Sequence, residues 1–297
     1  MPKPAKPSFL DHLGADLQRI LPQHLLAGGM YRLARSTRPW LKNAIIGLVR
    51  RRYKVDMSDA EQPDPRAYAS FNAFFTRALR PDARPIAADR VVCPADGRIS
   101  QATAIRGDTL LQAKGREFSL LTLLGGDRVR AHAFNDGLFA TVYLSPSDYH
   151  RVHMPFAGTL ESMVFVPGEL FSVSEITTQL VPDLFARNER VICHFETAIG
   201  PMTVVLVGAI FVGSIETVWH GEVRGPRGQP TKWAYQGEQR RRFEAGEEIG
   251  RFNMGSTVIV LLPPGSAALE STLTPGTVVR MGQSIGRLAG PGVPPGA

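Results

Sequence analysis

Cysteine is scarce in this chain. Only Cys93 and Cys193 occur in 297 residues, which is too few for a disulfide framework. A reducing compartment is the simpler interpretation, and one disulfide is the alternative. Long apolar runs are missing too, because the best candidate, residues 202–212, is shorter than the run of about 18 residues that suggests a membrane-spanning helix. The N-terminus also lacks the apolar run of a secretory signal. We therefore expect a soluble or peripherally bound protein.

Several common functional motifs are missing as well. The chain has neither type of glycine-rich phosphate-binding loop, and no HExxH, CxxC or GxSxG pattern. Nucleotide binding, zinc-protease chemistry and the usual α/β-hydrolase mechanism therefore have no anchor in the sequence.

Positive charge is present but unevenly distributed. The formal net charge is +7, yet residues 1–54 alone carry +9 and the remaining residues carry −2. A protein that binds nucleic acid concentrates basic residues around its working site. The body of this chain does not, so we expect no nucleic-acid partner.

Residues 8–52 follow a helical pattern with apolar residues on one face. Ser8 and Asp11 form a candidate capping box, Gly28-Gly29 interrupts the pattern, and Pro39 opens a second helix. One interpretation is a basic amphipathic unit on an anionic membrane surface. The other is a pair of helices packed on the body with their charges in solvent.

From residue 91 onwards, short β-branched runs alternate with glycine, proline and aspartate turns. A short helix is predicted before them, over residues 71–79. This order predicts an α+β fold, with N-terminal amphipathic helices followed by a β-rich domain. We divide the chain into a helical region (1–60), which is a membrane-association region under the first interpretation above, the β-rich domain (61–290) and a flexible tail (291–297).

Three short segments contain candidate catalytic residues. His150 and His153 lie three residues apart after a predicted strand, and a turn would bring both into one site. They are equally consistent with hydrogen-bonded structural histidines, and no further ligands suggest a metal. Asp96 precedes a glycine and is by itself a typical turn residue. Ser256 follows a glycine at the start of an apolar run, as a strand cap would, and Ser214 repeats the same Gly-Ser dipeptide.

Taken together, these segments resemble the phosphatidylserine decarboxylases, pyruvoyl-dependent enzymes that make phosphatidylethanolamine. The self-cleavage motif of that family, usually Leu-Gly-Ser-Thr, is present here as Met254-Gly255-Ser256-Thr257. Methionine keeps the size and apolarity of leucine, so we expect processing to proceed. The resemblance covers most of the chain and includes residues 71–77, 94–97, 143–146, 148–155, 167–173, 184–190, 212–215 and 246–252.

The resemblance implies that the chain cuts itself between Gly255 and Ser256. The products would be a β chain of residues 1–255 and an α chain of residues 256–297 that begins with a pyruvoyl group derived from Ser256. By the same resemblance, Asp96 orients His153 and His153 deprotonates Ser256, in the manner of a serine triad. No metal is implied.

For the second reaction, the resemblance implies that the pyruvoyl group takes up the amine of phosphatidylserine and acts as an electron sink. His150 would contact the substrate carboxylate or return a proton to carbon. Phe75 and Phe171 are expected on the pocket wall. The resemblance also implies a homodimer, bound peripherally to anionic membrane on the cytoplasmic face of the bacterial cell membrane.

Three alternatives remain at this point. The first is a serine hydrolase that uses Asp96, His153 and Ser256 without self-cleavage. The second is a lipid-binding scaffold of the same fold without chemistry. The third is a decarboxylase acting on another amino-acid headgroup or on a soluble amine acid.

Overall fold

The N-terminal part of the chain is helical, as predicted. The computed structural model describes residues 8–113, 115–210, 214–226, 228–253 and 255–289, so the predicted flexible tail at 291–297 lies outside the described residues. The helices of this part are α1 (Phe9–Ile20), α2 (Gln23–Ala34) and α3 (Pro39–Tyr53). The capping box of α1 is confirmed: the Asp11 N–H donates to Ser8 Oγ, and the Ser8 N–H donates to the Asp11 carboxylate.

The interruption expected at Gly28-Gly29 is wrong. Both glycines lie inside α2, although each glycine in a helix interior costs about 1 kcal/mol relative to alanine. The break falls instead at Pro22, immediately before α2, where a residue without an N–H is tolerated. Packing of α2 through the buried Ala27 and Ala34 offsets the glycine penalty.

The helix predicted over residues 71–79 is shorter than expected. It is α4 (Phe71–Phe75), and Ser70 caps it by accepting a hydrogen bond from the Ala73 N–H. The other short helices of the described residues are α5 (Leu120–Leu123), α6 (Arg128–His132), α7 (Glu175–Leu180) and α8 (Leu184–Arg187), with a 3₁₀ turn at Gly237–Gln239.

The rest of the chain is rich in β-strands, which confirms the predicted α+β class. The strands are β1 (Arg90–Val92), β2 (Gly97–Ala104), β3 (Thr109–Ala113), β4 (Arg116–Ser119), β5 (Leu138–Leu144), β6 (Arg151–His153), β7 (Gly158–Val166), β8 (Arg190–Thr197), β9 (Gly200–Val207), β10 (Ile215–Thr217), β11 (Gly221–Val223), β12 (Thr231–Ala234), β13 (Arg242–Phe243), β14 (Glu248–Phe252), β15 (Ser256–Leu262), β16 (Ala267–Leu269), β17 (Val278–Val279) and β18 (Ser284–Leu288).

The largest sheet is antiparallel, with the strand order β12-β7-β8-β9-β15-β5-β2-β17 and β13 beside β7. A second sheet has the order β11-β10-β14-β6, a third is β1-β18-β16, and β3 pairs with β4. β15 is therefore a central strand, paired with β5 on one side and β9 on the other. All its residues are buried, which explains its almost unbroken β-branched and leucine composition.

The N-terminal helices are attached to the body by both apolar and polar contacts. Ala34, Ile46 and Val55 form a small core with Phe71, Phe74 and Phe75. Gln23 accepts a hydrogen bond from the Leu170 N–H, and Gln18 accepts one from the Ser172 N–H. Within the described residues, no helix combines the length and apolarity needed to cross a bilayer. Cys93 and Cys193 are both buried and free, which removes the disulfide alternative.

Candidate functional site

Ser256 is the first residue of β15, in the middle of the large sheet. Its backbone pairs with Leu144 of β5. The side chain is completely buried, and its hydroxyl has no hydrogen-bond partner among the described residues. A buried polar group without a partner costs about 1–3 kcal/mol, so this hydroxyl does not stabilise the fold. Met254, the first residue of the predicted cleavage motif, lies outside the described residues.

His153 ends the short strand β6 and is held at both ring nitrogens. Nδ1 lies 2.8 Å from the carbonyl oxygen of Gly246, and Nε2 lies 2.8 Å from the hydroxyl of Tyr149. Because a carbonyl only accepts, Nδ1 carries the proton and Nε2 accepts from Tyr149. Burial lowers the pKa of His153. The ring is therefore a neutral base whose lone pair is on Nε2.

Asp96 lies in the turn between β1 and β2. Its carboxylate accepts hydrogen bonds from the Arg84 guanidinium, with Nη2 at 2.5 Å and Nε at 3.0 Å, and from the Met281 N–H at 2.9 Å. The next residue must be glycine, because a Cβ at Gly97 would lie 2.2 Å from the carbonyl oxygen of Tyr143. Glycine after Asp96 is thus required by the close approach of β2 to β5.

His150 is completely buried beside α4. Its Nδ1 lies 2.9 Å from the carbonyl oxygen of Asp148, and Nε2 has no partner among the described residues. The imidazole packs on the ring of Phe75, with 4.0 Å between centroids. Burial lowers the pKa of His150 to about 3. The side chain is therefore neutral, and its unpaired Nε2 is an acceptor.

The predicted site residues are brought into one region but are not all in contact. The N–H of Phe252, four residues before Ser256, donates to the carbonyl of His150, and the N–H of His153 donates to the carbonyl of Pro94, two residues before Asp96. Within the described part of the chain, no hydrogen bond joins Asp96 to His153 or His153 to Ser256. The backbone bonds bring these segments together, but the triad is not hydrogen-bonded in this state.

The second predicted pocket residue, Phe171, lies apart from His150 and Phe75. It is buried in the main core under the guanidinium of Arg187, 4.9 Å from its ring centroid, and Asn188 holds its backbone at both N–H and C=O. Its neighbour Leu170 lines a large cavity.

That cavity lies between α2 and the edge of the body and has a volume of about 1130 Å³. Its wall includes Tyr31 and Arg32 of α2, together with Glu189, Ser214 and Arg224. Burial raises the pKa of Glu189 to about 7, against the opposing charge of Arg224. The volume is slightly above the range of about 300–1,000 Å³ that is typical of small-molecule sites. A smaller polar cavity of about 190 Å³ lies beside Asp96 and Arg84.

Known proteins of one family match nearly the whole chain. A family model described as phosphatidylserine decarboxylase matches residues 71–287, and a model described as PSD matches residues 15–54. A phosphatidylserine decarboxylase proenzyme from Methylococcus capsulatus is 57% identical over 92% of this chain and 96% of its own length. The proenzyme of that name from Marinobacter nauticus is 50% identical over 94% of this chain and 99% of its own length.

The chain belongs to the phosphatidylserine decarboxylase family. This membership agrees with the resemblance seen in the motifs, and it extends to the N-terminal helices, because the second model covers α2, α3 and the second half of α1. Both of these relatives are proenzymes by name, whereas the serine hydrolase alternative expects a chain that stays intact. Membership of the phosphatidylserine decarboxylases therefore disfavours that alternative.

Several residues of this phosphatidylserine decarboxylase site were not singled out by sequence reasoning. Tyr149 lies inside the histidine motif but was given no role, and its hydroxyl donates a hydrogen bond to Nε2 of His153. Asn253, two residues before Gly255, was given no role either. Arg84, which holds Asp96, lies in a loop with no motif or periodicity, so nothing in the sequence pointed to it.

Proposed function

We propose that this protein decarboxylates phosphatidylserine to phosphatidylethanolamine and carbon dioxide, using a pyruvoyl group made from Ser256. The observation that carries the proposal is the completely buried, unpartnered hydroxyl of Ser256, at the Gly-Ser bond of a chain in this family. A hydroxyl that makes no structural hydrogen bond is free to be consumed in a reaction.

Apart from one water molecule, the proposed self-cleavage uses only groups of this chain. Ser256 Oγ attacks the carbonyl carbon of Gly255, the C–N bond breaks, and an ester joins the two residues. Loss of the Cα proton of Ser256 then breaks the Cβ–O bond and releases residues 1–255 with a free carboxylate. Water replaces the nitrogen of the remaining unsaturated residue, which leaves as ammonia, and a pyruvoyl group begins residues 256–297. Serine is a weak nucleophile, so the first step needs a base.

His153 suits the role of that base, because its neutral ring has a lone pair on Nε2. That lone pair accepts a hydrogen bond from the hydroxyl of Tyr149. For Ser256 to attack, Nε2 must give up this hydrogen bond and accept one from the hydroxyl of Ser256. Asp96 contributes negative charge nearby, which favours the imidazolium formed when His153 takes the proton. We propose that Arg84 holds the Asp96 carboxylate in place during this step.

The residues around Ser256 fit the group that it would become. When formed, the pyruvoyl ketone supplies an electron sink for the electrons left behind by the departing carboxylate. His150 offers an unpaired Nε2 in a dry setting. In its neutral state this atom accepts, so it must gain a proton before it can return one to carbon. A nearby substrate carboxylate would raise the pKa of His150 and favour that protonation. We assign Phe75 to hold the His150 ring and Phe171 to support the wall at Leu170.

We propose that phosphatidylserine binds in the large cavity beneath α2. Arg32 and Arg224 provide positive charge for the phosphate, and the serine part of the headgroup would extend from this cavity towards residue 256. The N-terminal unit would place this cavity at the membrane, because large apolar side chains of α1–α3 are exposed to solvent. These are Leu13, Leu17, Leu25, Leu26, Leu33, Trp40, Leu48 and Tyr53.

We also propose a homodimer bound peripherally to anionic lipid on the cytoplasmic face of the bacterial cell membrane. The exposed residues Arg50, Arg51 and Arg52 at the end of α3 support attraction to anionic headgroups. Sedimentation in mild detergent tests the dimer, and protease protection of inverted membrane vesicles tests the face.

Denaturing electrophoresis with mass spectrometry of the purified protein tests the central proposal. We expect two fragments, with a pyruvoyl group at the start of residues 256–297. An intact chain, or a break at Gly213-Ser214, would contradict it. Labelling of Ser256 by a fluorophosphonate in an intact chain would favour the hydrolase. Release of carbon dioxide from free serine but not from phosphatidylserine vesicles would point to a soluble substrate.

A further inference from the structure

Ser214, the second Gly-Ser serine of the chain, has a hydrogen-bonded position quite unlike that of Ser256. It is buried, and its Oγ accepts from Asn253 Nδ2 at 2.6 Å and from Arg35 Nη2 at 3.3 Å. Its carbonyl oxygen accepts from the Asn253 N–H at 3.1 Å. Ser214 therefore binds both the side chain and the backbone of Asn253.

Asn253 is held from the opposite side by α4. Its Oδ1 accepts a hydrogen bond from Asn72 Nδ2 at 3.0 Å. The side chain is buried, so both of its polar atoms are satisfied within the protein. Together these contacts anchor Asn253 to β10 through Ser214 and to α4 through Asn72.

The bond between Gly255 and Ser256 lies between two anchored points. On the N-terminal side is Asn253, two residues before Gly255. On the C-terminal side is the β15 ladder, which pairs Ser256 with Leu144 and Thr257 with Val207. Little crowds Gly255 itself, because a Cβ there would meet nothing closer than the Leu144 oxygen at 3.8 Å. Gly255 thus lies between two anchored points and has little packed around it.

We propose that Ser214 and Asn253 are positioning residues for self-cleavage: they hold the segment before Ser256 so that the Gly255 carbonyl faces the serine hydroxyl. Intramolecular attack needs the reacting atoms within about 3–3.5 Å and correctly aligned, and a small misplacement costs much of the rate. The inference rests on the proposed self-cleavage and assigns a role to the Gly-Ser dipeptide that is not cut.

The test follows cleavage of the full-length chain, synthesised in a cell-free system and sampled over time by electrophoresis. Ser214→Ala removes one oxygen and should slow cleavage about tenfold, the rate equivalent of one hydrogen bond of about 1.4 kcal/mol. Asn253→Ala should slow it further. Because Ser214 acts through its hydrogen bond to Asn253, which Asn253→Ala already removes, the double variant should be no slower than Asn253→Ala alone.

Ser162→Ala is the matched control. Ser162 is a buried serine of β7 whose hydroxyl has no partner among the described residues, so its loss should leave the cleavage rate unchanged. Hydroxylamine supplies a second measurement, because it cleaves an ester but not a peptide bond under mild conditions. If positioning limits ester formation, hydroxylamine should not restore the rate of Ser214→Ala.

Three results would overturn the inference while leaving the proposed function intact. They are a Ser214→Ala chain that cleaves at the unmodified rate, an equal slowing in Ser162→Ala, and full rescue by hydroxylamine. If the unmodified chain is never cut at Gly255-Ser256, the proposed function and this inference both fail. The cleavage rate of Ser214→Ala tests the inference even if Asn253→Ala does not fold.

Discussion

The two histidines of the site differ in how they are held, and this difference suggests a division of labour. Both nitrogens of His153 are bonded, one to Gly246 and one to Tyr149, whereas Nε2 of His150 is unpaired. A base for a single intramolecular attack needs a lone pair that is held in one direction. A group that meets an incoming substrate needs a lone pair that no other group occupies. We therefore assign His153 to self-cleavage and His150 to decarboxylation.

Replacing each histidine by alanine should separate the two reactions. His153→Ala should abolish cleavage. His150→Ala should be cleaved but lose about 10²–10⁴ of its decarboxylation rate, the usual contribution of a general acid or base. The cleaved fraction measures self-cleavage, and the release of carbon dioxide measures decarboxylation. His194→Ala is the control, because His194 is a buried histidine of β8 that is bonded to Thr203 of β9. A block of cleavage in His150→Ala would reverse the assignment.

Arg84 and Asp96 form the most enclosed ion pair of the site. Their side chains are 8% and 13% exposed, and Asp59 also contacts Arg84. Both carboxylates raise the pKa of the Arg84 guanidinium, which stays charged. Removing one partner of such a pair leaves the other charge buried and unbalanced.

Arg84→Ala should therefore destabilise the protein by about 3–5 kcal/mol. The free energy of unfolding in urea measures this, best in the uncleavable Ser256→Ala background. Arg242→Ala, which breaks an exposed pair with Glu244, should cost less than about 1 kcal/mol. Equal costs for the two would show that the Arg84–Asp96 pair is not structurally important.

At the scale of the element, the N-terminal helices match parts of both interpretations of the sequence. They pack on the body through Ala34 and Ile46, and Lys42 is buried with its ammonium donating to the Arg66 carbonyl. Arg35 pairs with Glu222 of β11. Yet Leu25 is 77% exposed and Trp40 69% exposed. The helices thus have one face on the body and a second apolar face without a partner in the described chain.

Trp40→Glu with Leu48→Glu should weaken binding to phosphatidylserine vesicles by at least tenfold, because each buried apolar side chain contributes about 1.5–3 kcal/mol. Cosedimentation of the Ser256→Ala protein with the vesicles measures binding without turnover. Val129→Glu is the control, since Val129 is 83% exposed on α6 of the body. Equal loss in Val129→Glu, or no loss in the double variant, would contradict a membrane face on α3.

The whole molecule encloses three histidines whose burial opposes protonation. Burial lowers the pKa of His150 and of His194 to about 3, and it also lowers the pKa of His153. The unfolded chain, with histidine pKa values near 6.5, binds more protons than the folded protein below that pH. Stability should therefore fall as pH drops below about 6.5. Glu189 and Asp148, whose pKa values are raised by burial, act in the opposite direction and offset part of the effect.

His194→Leu should remove one group that binds a proton in the unfolded chain but not in the folded protein. Each buried neutral histidine adds a slope of about 1.4 kcal/mol per pH unit to the stability curve between its two pKa values. Urea unfolding of Ser256→Ala chains at pH 5, 6 and 7 should show a slope lower by about that amount in the variant. An unchanged slope would mean that His194 is protonated in the folded state.

Much of this fold and site was predictable because local chemistry repeats along the chain. The β-branched runs predicted strands where β5, β8, β9 and β15 lie, and Ser8 with Asp11 predicted the start of α1. The family motifs named Asp96, His150, His153 and Ser256, which lie in one region. The break at Pro22 rather than at Gly28-Gly29 was missed, because packing of α2 on the body outweighs the helix propensity of glycine.

Partners in space could not be read from order along the chain. Arg84 on Asp96 and Ser214 on Asn253 are contacts between segments whose sequences show no relation to one another. The uneven charge of +9 on residues 1–54 is a property of composition and was visible at once. Its partial neutralisation by Glu222 and the burial of Lys42 depend on how the helices pack on the body. Residue types and their spacing thus indicate which chemistry the chain carries. Long-range packing alone determines which polar groups are paired and which, like the hydroxyl of Ser256, are left free to react.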